Sequence, residues 1–96
     1  MTASDLTERT EIEALALELG WDIDKRAGEQ TVCGYNGQRL TISWVGGCAT
    51  VAVITNGAGQ ETARRQNYTW QTGSVAGWVR MMLRAIVTSR PAGEVA

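Results

Sequence analysis

The chain has 96 residues, a formal net charge of −1, 44% hydrophobic and 20% charged residues, and no histidine. That length supports one hydrophobic core, the composition is that of a globular chain, and the small net charge gives no global drive toward nucleic acid or anionic lipid. Without histidine the chain lacks the commonest general base and the commonest nitrogen ligand for a metal.

The charges are unevenly placed. Up to Gln30 there are eight acids against Arg9, Lys25 and Arg26, whereas from Thr31 onward six arginines face only Glu61 and Glu94. The opening MTASDLTERTEIE has neither the basic start nor the apolar run of a secretory signal, so no export signal is expected. The apolar stretch Val75 to Val87 is interrupted by Arg80 and Arg84 and is too short to span a bilayer. Two cysteines without a disulfide-rich pattern agree with a reducing compartment, and the expected location is cytoplasmic.

In chain order, Ile12, Leu15, Ala16 and Leu19 fall at the spacing of one helical face, with Glu11, Glu13 and Glu18 off it. Asp5 with Glu8, or Thr10 with Glu13, can form a capping box at the helix start, and Gly20 suits its end. Trp21 to Gly28 leads into the sheet, with room for a short strand through Trp21 and Ile23.

Three β segments follow, Gln30 to Tyr35, Gln38 to Val45 and Cys48 to Thr55, separated by Asn36-Gly37 and Gly46-Gly47. Both dipeptides suit two-residue hairpin turns, whose central residues need positive φ. Such turns set Tyr35 opposite Gln38 and Val45 opposite Cys48. Leu40, Ile42 and Trp44 then share a core face with Val53, Val51 and Ala49, leaving Arg39, Thr41, Ser43, Thr50, Ala52, Val32, Val45 and Ile54 on the reverse. The same register puts Cys33 on the core face and Cys48 on the reverse, so no disulfide between them is expected.

Glu61 to Trp70 is expected as a fourth strand at an edge. Thr72 or Ser74 can cap a second helix with an apolar stripe of Val75, Trp78, Val79, Met82, Leu83 and Ile86, ended by Pro91 and Gly93. The expected fold is a single α+β domain over residues 1–96, with ends fraying over about 1–4 and 91–96. An N-terminal helix precedes a three- to four-stranded antiparallel meander, and a C-terminal helix packs on one face of the sheet.

No catalytic residue, metal or cofactor is expected. Cys33 and Cys48 lack the CxxC spacing of a zinc or redox motif. Asp22 and Asp24 read as a solvated turn, and Gly57-Ala58-Gly59 as a hairpin loop, because the Lys-Ser/Thr of a phosphate-binding loop does not follow. Four tryptophans in a chain without phenylalanine are the most unusual feature, since tryptophan serves both cores and binding hot spots. Trp44 and Trp78 lie on expected core faces. Trp21 and Trp70, near element ends, are candidates for partner contact together with Val32, Val45 and Ile54. Arg64, Arg65, Arg80 and Arg84 are candidates for an anion-binding or nucleic-acid-binding face.

The order helix, three strands, helix resembles the double-stranded RNA-binding domain in topology. That family's basic cluster at the start of the second helix falls here on Thr72-Gly73-Ser74-Val75, and its histidine-bearing loop on Asn36-Gly37, so its RNA-binding function is not carried over. The Leu19-Gly20-Trp21 junction, the short hairpins, the Trp78-Val79-Arg80 helix and eight arginines against one lysine resemble small uncharacterised proteins of actinobacteria and their phages. That resemblance implies an accessory or host-interaction role. The expected function is a non-catalytic protein-interaction module, acting on a partner protein or as a homo-oligomer. The alternative is a nucleic-acid-binding domain that uses the arginines.

Overall fold

The computed structural model describes residues 7–66 and 75–88. Helix α1 (Glu8–Glu18) is followed by strands β1 (Asp22–Ala27), β2 (Gln30–Tyr35), β3 (Gln38–Val45), β4 (Cys48–Thr55) and β5 (Glu61–Gln66), then by helix α2 (Val75–Thr88). The strands form one antiparallel sheet in chain order. The α+β class and the meander are as the sequence implies, but there are five strands. The one beyond the expected count is β1, in the segment where the sequence leaves room for a short strand, although DIDKRA shows no apolar alternation.

Local chemistry explains the elements. Thr7, and neither Asp5 nor Thr10, is the N-cap of α1; its hydroxyl accepts from the Thr10 amide at 3.1 Å. At the other end the Gly20 amide bonds to Leu17 O and the Trp21 amide to Ala16 O, with Gly20 at φ +96°. This Schellman closure uses the left-handed conformation that glycine tolerates and turns the chain directly into β1. Asn36 and Gly37, both with positive φ, make the two-residue turn that holds Tyr35 opposite Gln38.

Both helices lie on the same side of the sheet: α1 touches β1 and β4, α2 touches β4 and β5, and the helices touch each other. They cover a core of Ile12, Ala16, Trp21, Cys33, Leu40, Ile42, Trp44, Ala49, Ala52, Ile54, Val75, Ala76, Val79 and Leu83. Trp78 and Met82 pack partly buried against it.

One β-bulge decides which β4 residues belong to that core. Ser43 pairs with Val51 but Trp44 pairs with Ala49, so Thr50 is an extra residue, its hydroxyl donating to Ser43 O at 3.2 Å. Beyond Thr50 the inside and outside of β4 are exchanged relative to a regular ladder. Ala52 and Ile54 are buried, while Val51 and Val53, expected in the core, are half-buried on the opposite face.

A polar cluster fastens α1 to the sheet. The Glu13 carboxylate accepts from Thr31 Oγ1 at 2.5 Å and from Arg9 Nε at 3.1 Å, and its other oxygen lies 3.3 Å from Arg26 Nε. Thr31 Oγ1 accepts from Trp44 Nε1 at 3.0 Å. Arg9 also donates to Gly28 O at 2.8 Å and lies 5.9 Å from the Trp44 ring centroid. Thr31 and Trp44 are buried, so these groups satisfy one another where water cannot.

Two sets of substitutions test this arrangement. Ile54→Ala is expected to cost ~2–5 kcal/mol and Val53→Ala less than about 1 kcal/mol in denaturant titration; the reverse ranking would place β4 in the other register. Thr31→Val, nearly isosteric, leaves the Trp44 indole without its acceptor and Glu13 without its hydroxyl donor. It is expected to cost ~1–3 kcal/mol in the same titration, and a neutral result would deny the cluster its structural role.

Candidate protein-binding face

With both helices on one side, the other face of the sheet carries no helix among the described residues. Its central row runs across all five strands as Lys25, Val32, Thr41, Val53 and Arg64, each adjacent pair in cross-strand register. The row beside it runs through Gly34, Arg39 and Thr55 to Glu61. The β1 end of that row is Asp22, in register with Gly34, and the carboxylate of the bulged Asp24 lies over Gly34, where a Cβ would sit 2.5 Å from its Oδ2. On the other side of the central row are Gln30, Ser43, Val51 and Gln66, and beyond them the pair Val45 and Cys48.

The face is therefore apolar along a narrow middle strip and charged at both margins. Asp24 Oδ2 lies 4.0 Å from Arg39 Nε. Arg64 grips Glu61 with Nη2 at 2.8 Å from Oε1, and its hydrogen bonding holds the Glu61 carboxyl below its ordinary range. Toward the Asn36-Gly37 turn the face runs into an open cleft of about 490 Å³ bordered by Asp22, Asp24, Arg39 and Asn56. The Asn56 side chain serves its own loop, accepting from the Ala58 and Gln60 amides. Among the described residues no group of three or more His, Cys, Asp or Glu side chains is placed to hold a metal ion.

The residues singled out from sequence are distributed unevenly over this geometry. Val32 is on the face and half-buried, and Val45 is at its end, 61% exposed. Ile54 is not on it: the Thr50 bulge turns Ile54 into the core, at 2% exposure. Trp21 is not at its margin either, because it is 1% exposed, donates from Nε1 to Leu83 O at 3.1 Å and stacks obliquely on Tyr35. An apolar residue directly after a helix-ending glycine ordinarily packs back on its own helix, which was the signal for Trp21. Trp70 lies outside the described residues.

The four arginines do not converge. Arg64 is on the open face opposite Val53, whereas Arg65 pairs with Ala52 on the helix-covered side. Arg80 on α2 reaches Glu11 of α1 at 3.3 Å, and Arg84 is exposed on α2. The residues that sequence reasoning missed are Val51 and Val53, hidden by the bulge, and Lys25, hidden by the unpatterned β1.

Comparisons with protein-family models, with curated proteins and with solved structures give no match for this chain.

The two thiols offer a chemical test of the two faces. Cys33 is buried, and burial, helped by the charges of Glu13 and Asp24, pushes its thiol up to about 11; Cys48 is exposed on the open face. Thiolate is the reactive form. Native protein at mildly alkaline pH is expected to take up one alkyl group rapidly at Cys48, and Cys33 to react only after unfolding, as peptide mass spectrometry would show. Equal labelling of both would contradict the assignment of faces.

Proposed function

We propose that this chain is a non-catalytic protein-interaction module that contacts its partner through the open face of the sheet. The observation that carries the reading is the half-buried strip of Val32, Val51 and Val53, left without a helical layer among the described residues and bordered by Thr41, Ser43 and charged margins. An apolar centre with a polar rim is the usual anatomy of a protein contact. A sheet face that a domain leaves open is where such a contact forms at little conformational cost. The small, mostly β-branched side chains of the strip have little rotamer freedom to lose.

An accessory or host-interaction role in an actinobacterium or its phage, in the cytoplasm, is the setting this reading suits. The nucleic-acid alternative has weaker geometric support, because Arg64 and Arg80 project from opposite sides of the sheet.

A photo-crosslinking amino acid placed at Thr41, in the middle of the strip, is expected to give a protein adduct in cells, while the same group at exposed Met81 on α2 gives none. Val53→Glu in the Thr41 crosslinker background is expected to abolish the adduct while circular dichroism stays unchanged. Adducts only from Met81, or only with nucleic acid, would overturn the reading.

A further inference from the structure

We infer that the partner this face fits is a second copy of the chain, stacked sheet on sheet about a two-fold axis that crosses the strands. The inference rests on the open face being a protein contact and adds its occupant.

The argument is the order of charge in two neighbouring rows. The central row is cationic at both ends, Lys25 on β1 and Arg64 on β5, with Val32, Thr41 and Val53 between them. The next row is anionic at both ends, Asp22 with the Asp24 carboxylate at β1 and Glu61 on β5, with Gly34, Arg39 and Thr55 between them. A two-fold axis lying between these rows, perpendicular to the strands, leaves each strand over its own counterpart and exchanges the rows. Lys25 of one copy then meets Asp24 of the other, Arg64 meets Glu61, and symmetry repeats both contacts, which closes the pair as an isologous dimer. The alternative axis, along β3, would set Lys25 over Arg64 of the other copy and repel. Charge thus selects one of the two ways of stacking the face on itself.

The backbone suits that arrangement. Stacked sheets pack about 10 Å apart with their strands within about 30° of alignment, and the axis crossing the strands leaves them antiparallel and aligned. Five strands about 4.8 Å apart, overlapping over about three to five residues each about this axis, give a footprint of about 24 by 14 Å. That is roughly 340 Å² per copy, below the standard size of specific interfaces, so the dimer is a weak and transient one, populated only at high concentration.

Sedimentation velocity on the purified chain tests this. The wild type is expected to pass from monomer to dimer with rising concentration, and more weakly in high salt. Lys25→Glu with Arg64→Glu makes both rows acidic, and Asp24→Lys with Glu61→Lys makes both rows basic. Each double variant, checked for folding by circular dichroism, is expected to weaken self-association by about tenfold or more. Mixed together they are expected to form a one-to-one heterodimer, because each acidic row then faces a basic one, a result that destabilised proteins would not give. A wild type that stays monomeric, or double variants that dimerise unchanged, would overturn the second copy as partner. If the Thr41 crosslinker then yields an adduct with another protein, the interaction-module reading stands without it; if it yields none, both fall.

Discussion

The clasp of Glu13, Thr31 and Trp44, with Arg9 and Arg26 on its outer side, is the constraint on which the layout depends. It joins the first helix to β2 and β3 through Glu13, Thr31 and Trp44, which are buried and each costly to leave without a partner, and to β1 through the exposed Arg26. It acts together with two backbone links at the same end of the sheet, Arg9 N to Gly47 O and Ala49 N to a Glu8 carboxylate oxygen. The helix is thereby held over one chosen face. Polar contacts of this kind add little net stability compared with apolar packing, but they discriminate strongly between packings, because a rotated or translated helix would strand several of them at once.

With α1 anchored, α2 has room only beside it, over β4 and β5. Trp21 bridges the two helices, its ring in the core and its indole N–H on the last turns of α2. The acidic first helix and the arginines of the second meet at Glu11 and Arg80, so part of the charge asymmetry along the chain is neutralised where the helices adjoin. Among the described residues the opposite face carries no helix, because this side of the sheet takes both.

How far the fold could be read ahead of the structure depended on the kind of signal. The helices, the Asn36-Gly37 and Gly46-Gly47 turns and the strands between them are local features, written in periodicity and in glycine; strands β2, β3 and β4 stand with the bounds their residues imply, while α1 starts from Thr7 and not from Asp5 or Thr10. The five-strand count and the membership of the open face are not local. β1 is a strand because β2 offers it hydrogen-bond partners, and its DIDKRA sequence suits an exposed edge more than a core. The bulge at Thr50 leaves no mark that distinguishes it from any other threonine in a strand, yet a single extra residue moved Ile54 inside and Val53 outside. The candidate face is therefore half legible: the turns place Val32 and Val45 on it as observed, whereas Val51, Ala52, Val53 and Ile54, beyond the bulge, lie on the side opposite to the one a regular ladder gives them.

The strict chain-order succession of the five strands has a consequence for how the molecule acquires its shape. Every strand pairing joins neighbours in sequence through a turn of two to five residues, so the sheet requires the closure of short loops only. The costly closure is the meeting of the two ends of the chain, represented by the bond between Trp21 and Leu83 across 62 positions. A chain in which hairpins are already closed has a much shorter effective loop between its helices, which lowers the entropy that contact must offset. A topology of this kind concentrates its long-range closure in one contact between the helices, the same contact that gives the domain an inside.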